Sequence, residues 1–228
     1  MTYLIAASAA FILIHLLISG TPVRDALTRV VGQGAYMGLF SLASLGCLIW
    51  MGFAYGHAIG PTYWSATDAT KWVQLGLTFI AFQFMVIGLT TPNPTSVRQE
   101  ETLEKADVVK GMLRVTRHPF LWGVAIWAVG HLMVRGDLPS LVLFGALLVL
   151  ALAGPLSIDA KRKRALGDKW TTFAAATSNV PFAAIVAGRQ SLKLGEIGWW
   201  RMALAAVIWA ALAWGHVYIF GVSPFPGR

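Results

Sequence analysis

Six apolar runs approach or reach the length that crosses a bilayer, and this property removes most of the folds open to a chain of 228 residues. A hydrocarbon core of ~30 Å needs about 20 apolar residues in helical form. The runs are Tyr3–Gly20, Gly34–Gly56, Trp72–Thr90, Pro119–Val134, Leu138–Ile158 and Trp199–Gly221. Lipid offers no partner to a backbone N–H or C=O, so each run must close its own hydrogen bonds as a helix. The fold class expected is therefore all-α, a polytopic membrane helix bundle of about six spans, with residues 1–228 forming one integral membrane domain. Only 12% of the residues are charged, too few to clothe a soluble domain of this size. Prolines fall at run ends: Pro119 opens the fourth, and Pro92 and Pro94 follow the third. Pro155 is expected to bend or stop the fifth.

The distribution of Lys and Arg orients the bundle. With the N-terminus outside, the inner loops hold 15 basic residues, among them Arg24, Arg114, Arg117 and the run Lys161–Arg164. The outer side keeps Lys71, Arg135 and Arg228. Cytoplasmic loops carry the excess of Lys and Arg, so both termini are expected outside. The net charge of +8 is thereby accounted for by inner loops, and no nucleic-acid partner is expected. The location implied is a multi-pass position in a membrane with its basic loops facing the cytoplasm, and the lipid bilayer is the immediate partner.

Two inner segments carry enough apolar residues to order. Residues 98–114 are expected to include a short surface helix. Residues 159–193 combine basic residues with Trp170 and Phe173, a pattern expected of an interfacial helix on anionic lipid. Cys47 is the single cysteine, in an apolar run, and reads as an inert buried thiol. Gly34-x-x-x-Gly38 and Gly52-x-x-x-Gly56 would let the second helix pack closely on a neighbour, inside the bundle or on another chain. No P-loop, dinucleotide fingerprint or paired carboxylates lie within a span.

The chemical signal is carried by five histidines, His15, His57, His118, His131 and His216, all within apolar runs or at their ends. An imidazole in lipid needs a partner, and five of them beside almost no other ionisable group favour a ligand role toward haem iron, zinc or copper. His118 and His131 stand thirteen residues apart, roughly 20 Å in depth at 1.5 Å per residue, and cannot share one small site. His131 lies on a stripe with Gly123 and Trp127, and His15 on one with Ser8, Phe11, Ile12 and Ser19. By depth, His15 and His118 fall in the inner half, and His57, His131 and His216 in the outer half.

An ordered set of motifs then resembles a known family. His-Leu-Leu-Ile-Ser-Gly at 15–20 closes the first run, and Asn-Pro-Thr at 93–95 precedes the acidic segment. Arg-Val-Thr-Arg-His-Pro at 114–119 opens the fourth run, and Trp127-Ala-Val-Gly-His131 ends it. Ile158-Asp159-Ala-Lys-Arg and Thr177-Ser-Asn-Val-Pro-Phe182 follow. Together, from about residue 3 to residue 220, they resemble the NnrU family of bacterial membrane proteins, whose name is tied to denitrification and nitrogen-oxide metabolism. The related plant zeta-carotene isomerases hold haem b through two histidines and isomerise a cis double bond of a polyene. The resemblance implies haem b as cofactor, with His15 and His131 matching the iron ligands and His118 the rival for the second position. His57 is a supporting candidate. It implies an isomerase-like activity on a lipophilic polyene, or a redox role toward a nitrogen-oxide small molecule. The cysteine that exchanges as a ligand in the plant proteins is Ala128 here, which removes that redox switch.

Two alternatives stand beside it. Arg117-His118-Pro119 with Gly123 resembles the membrane methyltransferases of isoprenylcysteine and phospholipids. Leu121 replaces their Tyr, and their later Glu pair is absent after Ile158, so residues expected to hold S-adenosylmethionine are missing. The third reading is a non-catalytic assembly factor, using the glycine patterns of the second helix.

Overall fold

The computed structural model describes residues 1–105 and 107–227; Ala106 and Arg228 lie outside the described residues, and with Arg228 goes its assignment to the outer side. Helix α1 (Thr2–Leu13) runs on as a π-helical turn at Ile14–Ile18. The chain then bends by 83° into α2 (Pro22–Val31), where Thr21 caps the new helix and Pro22 stands in its first turn. Next come α3 (Gln33–Gly56), strand β1 (Thr62–Ser65), α4 (Asp68–Thr90) and the short α5 (Met112–Val115). They are followed by α6 (Pro119–Val134), strand β2 (Arg135–Asp137), α7 (Leu138–Leu166), α8 (Asp168–Ala176), α9 (Ala183–Val186) and α10 (Trp199–Phe220).

The six apolar runs are six helical segments. By length and composition α3, α4, α7 and α10 can each cross a membrane, and the bent α1–α2 pair is a fifth. Helix α6 has 16 residues, about 24 Å at 1.5 Å per residue, short of a full hydrocarbon core. It lies between α4 and α7. Side by side the helices form a row, α10–α4–α6–α7–α1–α3.

Close approaches set the row. A Cβ on Gly123 of α6 would stand 2.8 Å from the Ala81 carbonyl oxygen of α4, so that position admits only hydrogen. A Cβ on Gly20 would collide with the Ser157 hydroxyl, so the end of the first apolar run lies against the end of α7. Ala7, Phe11 and Met51 form a buried cluster with Leu143, Leu147 and Leu150 around them, joining α1, α3 and α7. At the opposite end β1 and β2 pair antiparallel, and the Leu138 N–H donates to Pro61 across 2.9 Å. The C-terminal segment returns to this same end, with the Gly227 N–H on Asp68 at 3.2 Å.

Three expectations are corrected. Pro155 neither stops nor ends α7; the helix continues to Leu166, carried by the bonds that Asp159 and Arg162 make beyond it. Among its described residues the 98–114 segment forms no surface helix of useful length. It has one 3₁₀ turn at Glu100–Glu104 and then α5, because Arg98 and Gly111 both take positive φ, near 60°, and break the repeat. Trp170 and Phe173 are not lipid anchors. They are 2% and 3% exposed and pack on Leu113 in a small core of their own.

Candidate functional site

The histidines divide by their partners. His15 Nδ1 lies 2.7 Å from the Phe11 carbonyl, His57 Nδ1 2.8 Å from Phe53 and His131 Nδ1 2.8 Å from Trp127. A carbonyl can only accept, so Nδ1 carries the proton in each, and Nε2 keeps its lone pair. Metal-ligating histidines in proteins show this same arrangement. His15 follows directly on the start of the π turn and sits among Phe11, Phe40 and Ser44, whose hydroxyl is 3.4 Å from Nε2. π turns recur at functional sites because they re-aim one side chain. The His131 ring stacks on Phe144 at 4.7 Å and lies tilted against Trp127 at 4.3 Å. Phe144 in turn meets Tyr55, whose hydroxyl bonds Ser140 at 2.9 Å. The result is an aromatic wall toward the β1–β2 end of the bundle.

His57 ends α3 beside an apolar concavity of about 360 Å³ lined by Ile49, Gly52, Phe53 and Gly56. His216 donates its Nδ1–H to the Val222 carbonyl at 2.8 Å and lies half-buried near the C-terminal end of α10.

The structure does not bring His15 and His131 together. Ala7 and Phe11 lie beside Leu143–Leu150, and Gly20 meets Ser157, whereas His131 stacks on Phe144. The two rings are thus offset by roughly eight residues of α7, ~12 Å along its axis. Axial nitrogens on one iron stand roughly 4 Å apart. Each imidazole has the chemistry of a haem ligand, but the pair as placed does not fit one bis-histidine iron. Among the described residues no group of three or more His, Cys, Asp or Glu gathers for a metal ion.

His118 belongs to a different assembly. It is 2% exposed, and its Nε2–H donates to Asp159 Oδ1 at 2.7 Å. Arg117 reaches the same carboxylate with Nε at 3.1 Å and Nη2 at 2.5 Å. Burial holds the His118 imidazole below its ordinary value, against the opposing pull of Asp159. Around this triad the motif residues converge. Asn93 Nδ2 and Thr95 Oγ1 both donate to the Arg117 carbonyl at 3.0 Å, and the Arg117 N–H donates to Ser178 at 2.9 Å. The Thr116 hydroxyl donates to the Asn179 carbonyl, and the Trp122 indole N–H to the Asn179 side chain at 3.2 Å. Four separated stretches of sequence are thus one hydrogen-bonded plug on the basic side, closing α4, α6 and α7. Asp159 is its centre, a role that sequence reasoning missed. The available signal was a lone carboxylate at the end of an apolar run, directly ahead of four cations.

The family model described as NnrU protein matches residues 3–224. The chain belongs to the NnrU family. Its match extends over the whole row of helices, from α1 to the segment after α10, and includes the plug and both candidate ligand histidines. The chain is also 26% identical over 176 residues to the chloroplastic 15-cis-zeta-carotene isomerase of Zea mays. To the Arabidopsis thaliana protein of the same name it is 25% identical over 179 residues. Each match covers 74% of this chain and 47% of the relative, so the NnrU chain spans about half the length of these curated relatives. No solved structure matches it significantly.

Proposed function

We propose that this NnrU protein is a membrane-embedded, isomerase-like protein that takes a lipophilic cis-polyene from the bilayer. The observation that carries the proposal is the similarity, across three-quarters of the chain, to two proteins named as 15-cis-zeta-carotene isomerases. The aromatic wall of His131, Trp127, Phe144 and Tyr55 supports it, since flat π surfaces within the span suit a conjugated chain. The proposal locates the protein in a bacterial cytoplasmic membrane, its basic loops inward.

The proposed cofactor is haem b, which would supply a redox-active iron. His15 and His131 are rival candidates for a single ligand to it, since the two do not meet on one iron; each has its tautomer fixed by a backbone carbonyl. His118 is a weaker candidate, because its Nε2 and the arginine beside it are spent on Asp159. Expression with haem supplementation, followed by oxidised and reduced visible spectra of the purified protein, tests the cofactor. A stoichiometric Soret band that His15→Ala or His131→Ala removes, while His118→Ala keeps it, is the expected result. A colourless wild-type protein would overturn the haem proposal. The isomerase reading is tested apart from it, by chromatographing the geometric isomers of a 15-cis polyene after incubation. An unchanged isomer ratio with fully loaded protein would sink that reading.

A further inference from the structure

The basic end of the first and fifth spans holds more cationic hydrogen-bond donors than the chain itself satisfies. The Gly20–Ser157 contact brings the end of α1, the start of α2 and the end of α7 together. There Arg24 of α2 places its guanidinium 5.7 Å over the ring of Tyr36, in the first turn of α3. Lys161 of α7 lies in electrostatic reach of Arg24 and Arg162. The carboxylates in its reach are Glu100 and Asp25, and both are engaged, Glu100 by Arg162 and Asp25 by Arg24 at 3.3 Å. Lys161 itself has no hydrogen-bond acceptor among the described residues. Arg162 is 7% exposed, and its Nε is buried with no acceptor; the Tyr36 hydroxyl, on a residue 7% exposed, is buried in the same condition.

Buried donors are almost always satisfied, so the orphaned Arg162 Nε next in sequence to the Lys161 ammonium, and the orphaned hydroxyl of Tyr36 under Arg24, point to an acceptor that arrives from outside. That acceptor must be anionic and must offer several oxygens to donors from three helices. A phosphate group meets both conditions, and phosphates are what the inner leaflet presents at this depth. We propose that this mouth between α1, α2, α3 and α7 binds a phosphate group, of a phospholipid headgroup or free in solution, through Arg24, Lys161, Arg162 and Tyr36. The site is independent of haem and of the isomerase reading.

The test is native mass spectrometry of the full chain released from nanodiscs of phosphatidylglycerol and phosphatidylcholine. Wild-type protein is expected to retain phosphatidylglycerol in preference. Lys161→Gln should lower retention roughly tenfold, and Tyr36→Phe, which changes no charge, roughly threefold to tenfold. Lys163→Gln, on the exposed face of the same helix, should lower it less than Lys161→Gln does. Millimolar inorganic phosphate separates the sources: displacement of the lipid assigns a site open to free phosphate, and retention assigns a headgroup site. Equal losses from Lys161→Gln and Lys163→Gln, with none from Tyr36→Phe, would reduce the cluster to diffuse surface charge and overturn the proposal. Should Lys161→Gln fail to fold, an unchanged lipid profile for Tyr36→Phe would overturn it alone.

Discussion

His118 and Asp159, 41 residues apart in the chain, share a 2.7 Å hydrogen bond that ties the start of α6 to the far end of α7. Arg117 binds the same carboxylate, so one acidic group satisfies two cationic or donor side chains that burial would otherwise strand. Asp159→Asn is expected to lower stability by about 1–3 kcal/mol, since the amide can still accept from His118 but no longer balances Arg117. Asp159→Leu should cost more. Unfolding of purified protein in mild detergent, followed by size-exclusion profile against temperature, measures both.

Glycines of equal sequence appeal differ in what surrounds them. Gly123→Leu must push against the Ala81 carbonyl and Met85, and is expected to abolish the monodisperse folded species or lower stability by more than ~2 kcal/mol. Gly38→Leu meets nothing within 4 Å and should leave folding unchanged. If Gly38→Leu instead alters the oligomer size on the same column, α3 has a partner outside the chain.

Glu196 accepts from Arg114 at 2.7 Å and from the Gly111 N–H at 2.9 Å, and these bonds hold its carboxyl down at about 2, against an ordinary 4.5. A carboxyl depressed in the fold takes its proton first in the unfolded chain. Its contribution is therefore complete above pH 4.5 and fades as pH falls toward 2. Glu196→Gln should flatten the acid limb of the stability profile in that window and leave the profile shape near neutrality unchanged. Parallel acid limbs for wild type and variant would remove Glu196 from the account.

Orientation is open to a direct chemical measurement. In a Cys47→Ala background, Lys163→Cys should react with an impermeant maleimide only from the cytoplasmic side. Ile59→Cys, at a position 88% exposed beyond α3, should react only from the outer side. The reverse pattern would invert the bundle.

The spans were legible because one-dimensional hydropathy is the quantity that lipid selects on. The boundaries of α3, α4, α6 and α10 follow the apolar runs to within a few residues. The run of α7 past Pro155 was not legible, since the stabilising partners of Asp159 and Arg162 come from segments 41 or more residues away. Trp170 and Phe173 misled for a related reason. Their composition suits an interface, and only the position of Leu113 turns them inward. Of the candidate site, the residue types were readable but their company was not. His118 and His131 lie on one helix, yet one serves a polar plug and the other an aromatic wall.

A row of helices, unlike a ring, has ends. Only 6% of the spanning window of α3 and 11% of that of α10 is buried within the chain, so those helices take most of their neighbours from the membrane around it. The bilayer is therefore a packing partner as much as a solvent. Its thickness and chain order will set how firmly the two flanks are held, and detergent extraction will loosen α3 and α10 before it reaches α6.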